Sequence, residues 1–407
     1  MDKREQQPKK RRRPLPLRGT RLGPVLQALL AVALLGGGLY AFARFGWPVL
    51  RDVPDRPADL SCLGFGTPAP SPSPAPTPEP SPTPVPGTER SIYGVDLGRV
   101  QHEILIPEYQ YAGDFTVYGD TILFVVGNYT SDGTAAFTRA ILYDTKTRHA
   151  LYQRLDLAYK SIRHPQMNER WIVYLDALGS GGGQIRAYDR ESGENRILKT
   201  VHMGLPVLAL WEDTVFWIER TGTSRDKLFG CDLKTGEAVT LEIFENTDAG
   251  VSAVSAGGGK LVYVTGPGTL KTLDLSTGES RVDHFGSTVH DPKTDGRITA
   301  FLTGFHGEDS ALVYVDEKGE LITAAHGAAD FALADGALVY GTLDRTYVCF
   351  LDDGATFCLT RPSESALFLG AGGDFAIWMD VTWRDRDIIE YMHLNDFSAD
   401  LAETEEP

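Results

Sequence analysis

The sequence has little cysteine, with 4 Cys in 407 residues, which excludes a disulfide-dense scaffold and a Cys-rich zinc array. It contains no G-x-S-x-G, H-E-x-x-H or C-x-x-C motif, so a serine-hydrolase elbow, a zinc protease helix and a thiol redox centre are not indicated. The glycine-rich stretches at 178–184 and 256–261 fit neither dinucleotide-binding nor phosphate-binding spacing. We therefore predict no cofactor, no metal and no catalytic residue from motifs.

Acidic residues outnumber basic ones outside the N-terminus. Residues 1–21 carry nine Lys or Arg against two acids, a net of +7, and residues 22–89 carry a net of -2, so the net charge of -16 for the whole chain leaves about -21 on residues 90–407. Phosphate binding requires clustered Lys and Arg, so the acidic body argues against a nucleic-acid partner.

A single long uncharged run follows the basic segment. Residues 22–43 would span roughly 33 Å as a helix, enough for the ~30 Å hydrocarbon core of a bilayer. We predict a transmembrane helix over 22–45, with residues 1–21 in the cytoplasm by the positive-inside rule and the bulk of the chain extracytoplasmic. The alternative is a cleaved signal peptide, because Ala41-Phe42-Ala43 fits a small-x-small cleavage site. Either interpretation exports the body.

The segment 46–89 is predicted to be an extracytoplasmic linker. Within it, residues 67–87 hold ten Pro that alternate from Pro68 to Pro86. Because every second residue lacks a backbone N–H, neither a helix nor a sheet ladder is expected. Polyproline II would make this stretch a semi-rigid spacer of roughly 65 Å, most simply a passive tether.

Residues 90–400 repeat a pattern of short apolar runs broken by Gly or Asp. A strand that ends at Asp, a turn and a second strand recur with anchors near 144, 189, 232, 274, 315, 350 and 394. A further apolar pair precedes each hairpin, as in 115–127 and 207–219. Four short strands per ~40–45 residues are typical of the blades of a β-propeller.

The pattern predicts an all-β domain of seven four-stranded blades, with six or eight left open. Strands within 90–106 are expected to complete the last sheet, and 401–407 is expected to be an acidic disordered tail. The D-x-x-T-G-E hairpins at Asp232 and Asp274 resemble bacterial TolB-like and YVTN/WD40-like propeller repeats. That resemblance implies a superfamily of mainly binding modules with some enzymes.

Two cysteines flank an apparent two-residue turn at Asp353-Gly354. With that turn, Cys349 and Cys358 would be directly opposite at a non-hydrogen-bonded position, where Cα atoms lie about 4.5 Å apart. We therefore predict a Cys349–Cys358 disulfide, with two buried free thiols as the alternative; Cys62 and Cys231 have no evident partner.

Loops that join the second and third strands of a blade share one rim of a propeller. Here they fall near 127–136, 219–226, 304–310 and 380–387, and Arg225, His306, Trp383 and Arg384 are the predicted contact residues, since Arg and aromatic side chains dominate binding hot spots. The sequence favours a membrane-anchored, non-catalytic binding or scaffold module for an extracytoplasmic protein or cell-surface ligand. The alternative is a propeller hydrolase or lyase that acts on a cell-surface polymer or peptide.

Overall fold

A computed structural model describes residues 63, 83–84, 100–104, 111–129, 135–179, 181–221, 225–245, 253–286, 288–304, 310–361, 365–382 and 388–405. The predicted cytoplasmic segment, the transmembrane helix and all but three residues of the linker lie outside these ranges. Among the described residues, no helix combines the length and the apolar character needed to cross a bilayer.

Seven antiparallel sheets, each with four strands, form the blades of a propeller. The prediction of seven four-stranded blades is therefore confirmed. The strands, from the inner to the outer, are Tyr111–Tyr118, Thr121–Tyr129, Ala135–Asp144 and His149–Asp156 in blade 1; Ile162–Met167, Trp171–Ala177, Gly183–Asp189 and Asn195–Val201 in blade 2; Leu208–Trp211, Thr214–Thr221, Arg225–Asp232 and Ala238–Glu245 in blade 3; Val254–Gly257, Lys260–Gly266, Thr269–Asp274 and Ser280–His284 in blade 4; Val289–Thr294, Thr299–Thr303, Ala311–Val315 and Leu321–His326 in blade 5; Asp330–Ala334, Ala337–Gly341, Thr346–Phe350 and Thr356–Cys358 in blade 6; and Ala366–Gly372, Phe375–Asp380 and Ile388–His393 in blade 7.

The repeated hairpin is the third and fourth strand of blades 1 to 6, and in blades 3 and 4 an Asp fixes its turn. Asp232 Oδ1 accepts hydrogen bonds from the backbone N of Lys234 (2.8 Å) and Thr235 (2.7 Å), and Gly236 follows with a φ of 76°. A carboxylate that caps its own turn and a residue that tolerates positive φ are what such a connection needs. Asp274 makes the same bonds to Ser276 and Thr277, so the predicted anchors mark where third strands end.

The fourth strand of blade 7 comes from the other end of the domain. Gln101–Ile104 pairs antiparallel with Ile388–His393, with Ile104 opposite Ile389 and His102 opposite Tyr391. This confirms the expected closure, which removes an open sheet edge between the first and last blades.

The second strands are the most deeply buried elements. Trp171–Ala177 is buried at all seven positions, because each of these strands has neighbouring strands on both sides and adjacent blades on both faces. Apolar clusters consequently form between successive blades, such as that joining Ile122, Phe124 and Ile141 of blade 1 to Ile377 and Tyr391 of blade 7.

Two parts of the predicted linker touch the propeller. Leu63 is 5% exposed and belongs to the apolar cluster between blades 3 and 4. Thr83 and Pro84 pair in parallel with Ile322 and Thr323 on the outer strand of blade 5. The expectation that no sheet ladder forms in the Pro-rich stretch is therefore wrong for these two residues; at an outer edge, a missing N–H on Pro84 is tolerated.

A helix over Leu394–Glu405 follows the last strand. The expectation of a disordered tail from 401 is wrong for residues 401–405. Leu394 and Phe397 are buried in the core between blades 6 and 7, and Leu401 packs against it. The i, i+3, i+7 spacing of these three side chains places them on one helical face.

The predicted register around the two cysteines is also wrong. Cys349 is opposite Thr356, and Cys358 is opposite Tyr347, so the cysteines are two positions out of register. The connection is a four-residue loop: Phe350 N donates to Ala355 O, and Gly354 N donates to Phe350 O. Cys231, Cys349 and Cys358 are all free thiols.

Candidate functional site

The inner strands of all seven blades surround a central channel of about 760 Å³. Inner strands pair on one edge only, so their other edges face this space. Blades 3, 4 and 7 contribute apolar side chains, including Val207, Val254 and Phe368. The charged lining comes from four other blades.

Four polar residues of this lining occupy corresponding positions on the inner strands of their blades. Asp114, His164 and Asp330 lie seven residues before the start of the second strand of blades 1, 2 and 6, and Asp291 lies eight residues before it in blade 5. All four line the channel. Blades 1 and 2 lie three steps around the seven-membered ring from blades 5 and 6 by the shorter way. The two groups therefore occupy nearly opposite walls, roughly 150° apart.

The first group combines Asp114, Arg163 and His164. Asp114 Oδ2 accepts from the backbone N of His164 at 2.7 Å, and Asp114 Oδ1 accepts from Arg163 Nη1 at 3.2 Å. Both carboxylate oxygens are thus occupied, and the aspartate ties blade 1 to blade 2. Burial lowers the pKa of His164; the Asp114 carboxylate opposes this effect and the Arg163 guanidinium adds to it. The imidazole is therefore neutral at pH 7.

The second group combines Asp291, Lys293 and Asp330. Lys293 Nζ lies 3.2 Å from Asp291 Oδ2 and 3.4 Å from Asp330 Oδ1, and it also donates to the backbone oxygen of Phe331. The ammonium lies 4.5 Å from the centroid of the Phe331 ring. One cation thus joins blade 5 to blade 6 through two carboxylates, a carbonyl and an aromatic face.

The pKa values in this second group reflect its place on the channel wall. Burial acts to lower the pKa of Lys293, but the Asp291 and Asp330 carboxylates outweigh it, and the pKa is raised. Burial raises the pKa of Asp330, with Lys293 opposing. The Asp330 side chain is 55% exposed, so water reaches it in the channel although protein encloses it on most sides. We therefore expect screening to weaken the charge interactions here.

Backbone geometry marks the same positions. His164 and Asp291 both have a φ of 49°, each precedes a proline, and the ladder with the second strand shifts register at both. A β-bulge re-aims side chains locally, and positive φ at a non-glycine residue costs free energy that the surrounding fold must supply. Such outliers cluster at functional sites.

Of the four sequence-predicted contact residues, the structure describes Arg225, which does not line the channel. Arg225 begins the third strand of blade 3 and is exposed. His306, Trp383 and Arg384 lie outside the described residues. The loops that carry them do join second to third strands, as expected, but binding by these loops stays a prediction.

Sequence reasoning missed the channel residues. Their signal was a polar residue seven or eight residues before the apolar second strand in four of the seven repeats, with His164-Pro165 and Asp291-Pro292 as a matching pair. Within the described parts of the chain, no group of three or more His, Cys, Asp or Glu is arranged to hold a metal ion.

The fold and the channel define this chain as a seven-bladed β-propeller. Its sequence matches no protein-family model and no curated protein. Solved structures do match its fold. The β-propeller domain of the Trilobed protease from Pyrococcus furiosus is 13% identical, with 70% of this chain and 94% of that chain covered at a TM-score of 0.54.

Two kinds of enzyme are also among the structural matches. An oligogalacturonate lyase from Vibrio parahaemolyticus is 14% identical and covers 73% of this chain and 95% of its own, at a TM-score of 0.52. The Pyrococcus horikoshii acylaminoacyl peptidase is 11% identical at a TM-score of 0.52; the match covers 73% of this chain but 54% of the peptidase. The present chain thus spans about half of that peptidase. At these identities, the matches show the fold alone.

Proposed function

We propose that this chain is a single-pass, membrane-anchored extracytoplasmic propeller that binds a polypeptide segment of a partner protein in its central channel. The membrane placement rests on the uncharged run 22–43 with its basic flank. The binding role rests on one observation: two preformed charge clusters on nearly opposite walls of a channel to which the remaining blades contribute apolar side chains.

The state of the charged groups supports binding over catalysis. A general base must be available to the proton that it takes. Asp114 already accepts from Arg163 and from the backbone of His164, and Lys293 is held between two carboxylates. These groups fix each other in place, which suits recognition by preorganised contacts.

The lining fits a polypeptide. Inner strand edges offer peptide N–H and C=O groups for backbone pairing, as in recognition by strand addition. Apolar walls from Val207, Val254 and Phe368 would accept side chains, and the two clusters would bind charges of either sign. A partner segment that carries both an acidic and a basic residue matches this arrangement best.

Photocrosslinking tests the proposal. A benzophenone side chain at Val207, on the channel wall, should capture a defined partner protein in cells that make the full chain. The same group at Tyr159, which is 87% exposed, is the matched control. Asp114→Asn combined with Lys293→Met should abolish capture at Val207, because both charge clusters are then disrupted.

Capture that is equal at Val207 and Tyr159, or that survives the double variant, would contradict the proposal. The enzyme alternative has its own readout, which is depolymerisation of acidic cell-surface polysaccharide or peptide by the purified chain. Turnover that is lost in Asp330→Asn would favour that alternative over binding.

A further inference from the structure

Leu63 is distant in sequence from every blade yet sits inside the propeller. It is 5% exposed, in the apolar layer between blades 3 and 4 with Phe216, Val239 and Leu273. Blades splay apart toward the rim of a propeller, so the space between their outer strands must be filled by side chains. Here the linker supplies one of them.

The propeller carries a specific gap for this side chain. A Cβ added to Gly230 would lie 2.6 Å from Leu63 Cδ1, closer than real Cβ contacts allow. Gly230 lies opposite Phe216 on the third strand of blade 3 and does not have the positive φ that would itself require glycine. Leu241 Cδ1 and Phe216 Cε1 would lie 3.2 and 3.4 Å from the same Cβ, so Leu63 makes the shortest of three contacts that favour glycine here.

The other six blades show that the gap is particular to blade 3. The third-strand residue opposite the third residue of the second strand carries a side chain in each of them: Leu142, Ala187, Thr272, Val313, Val348 and Tyr391. Blade 3 alone has glycine at this position. A second contact follows downstream, where Thr83 and Pro84 pair with the outer strand of blade 5.

We propose that Leu63 is the point at which the linker is fixed to the propeller, and that the Pro-rich stretch is consequently not the spacer between membrane and domain. Most of the Pro-rich stretch lies between two attached points, Leu63 and Thr83. The tether to the membrane is then residues 46–62. This inference uses the membrane anchor of the proposed function, but the docking of Leu63 does not depend on it.

The consequence is a large change in reach. Seventeen residues, 46–62, extend to at most about 60 Å, whereas the 37 residues 46–82, which precede the pairing of Thr83 with blade 5, would extend to about 130 Å. Docking of Leu63 thus limits the distance between the propeller and the bilayer to about half of what a linker attached only from Thr83 onward would allow.

Thiol labelling tests the docking without reference to a membrane. In full chain with Cys62→Ser, Leu63→Cys should react with maleimide at least ten-fold more slowly than Leu343→Cys, at a site 95% exposed. Adding Gly230→Phe, whose ring fills the gap even when the shorter cysteine replaces the leucine, should raise the Leu63→Cys rate toward that of Leu343→Cys. Thr272→Phe, at the equivalent position in blade 4, should leave the rate slow. Fast labelling with Gly230 present, or slow labelling in the Gly230→Phe variant, would overturn the docking.

Energy transfer from a fluorophore on the propeller to acceptor lipids tests the reach, with full chain in nanodiscs. Ten residues of Ala-Pro repeat inserted after Pro78 should leave the energy transfer unchanged, because they lengthen a segment whose two ends are both attached to the propeller. The same insert after Pro54 should reduce the energy transfer, because it lengthens the tether itself. In Gly230→Val, the insert after Pro78 should also reduce it.

Reduced transfer from the Pro78 insert in the parent protein would overturn the proposal. If the chain does not associate with bilayers at all, the membrane anchor of the proposed function would be contradicted instead. The labelling rates would still report on Leu63, so the two failures are distinguishable.

Discussion

Lys293→Met is the most informative single change in the channel. It removes the one cation that lies between Asp291 and Asp330 and keeps a side chain of similar length against the Phe331 ring. Two carboxylates and a carbonyl then lose their shared donor. We expect the free energy of unfolding to fall.

The structure bounds the size of this loss. At 3.2–3.4 Å, each ion pair would reach about 5 kcal/mol at an effective dielectric constant near 20. Breaking a fully buried pair costs about 3–5 kcal/mol, and an exposed pair contributes about 0–1 kcal/mol. Lys293 is 29% exposed and Asp330 55%, so solvent screening places the expected loss between these cases, at about 1–3 kcal/mol.

The loss should also depend on pH. The pKa of Lys293 is raised in the folded protein from its unfolded value of 10.5. Since pH 7 is well below both values, the contribution of the Lys293 ammonium to the free energy of unfolding is complete there. Asp330 titrates instead: burial already raises the pKa of its carboxyl, and the pKa should rise further without Lys293. Protonation of Asp330 removes one of the charges that Lys293 balances, so Lys293→Met should cost less at pH 4 than at pH 7.

Urea unfolding of parent and variant at pH 7 and pH 4 measures both quantities. Lys234→Met is the control, because Lys234 pairs with Asp213 at a site where the two side chains are 55% and 35% exposed, and it should cost at most about 1 kcal/mol. Adding Asp330→Asn to Lys293→Met should restore part of the loss. An equal loss at both pH values, or no rescue by Asp330→Asn, would refute the charge argument.

The remaining predictions concern pH, thiols and closure. The free energy of unfolding should fall as pH drops below 6.5, because burial lowers the pKa of His164 and the unfolded state binds the proton first. In urea titrations, His164→Gln should reduce this dependence on pH. It should not abolish it, since burial also lowers the pKa of His102. Burial raises the pKa of the Cys231 thiol to about 12, so folded protein at pH 8 should resist iodoacetamide at Cys231, and rapid modification would contradict the buried setting. Cys349 and Cys358 should both alkylate in unfolded, unreduced protein, given the register offset, and an intact disulfide by mass spectrometry would show that register to be wrong. Ile104→Asp should lower the free energy of unfolding by more than about 3 kcal/mol, because Ile104 is 4% exposed where blade 7 closes against blade 1, and a loss below about 1 kcal/mol would mean that the closing strand adds little.

Local chemistry makes the repeat recognisable from the amino-acid sequence alone. Asp232 and Asp274 cap their own turns through contacts two and three residues away, so the pattern that marks a third strand is contained in the hairpin itself. The closing strand was also predictable, because a blade with three strands requires a fourth from elsewhere.

Errors arose where a nonlocal contact outweighed a local preference. The Asp353-Gly354 pair looks like a two-residue turn, yet the strands close at Phe350 and Ala355 around a longer loop. The acidic C-terminus looks like a tail, yet Leu394 and Phe397 find an apolar groove between blades 6 and 7 and the helix forms on that surface.

The sequence by itself determined the four-stranded repeat, with seven blades favoured over six or eight, and the contrast between basic N-terminus and acidic body, because periodicity, turn chemistry and charge are local properties. Only the tertiary structure decided which residues meet. Asp114 reaches His164, and Lys293 reaches Asp330, only because successive inner strands lie side by side around one channel. Leu63 meets Gly230 across more than 160 residues because splayed blades leave a gap that a side chain from elsewhere can fill.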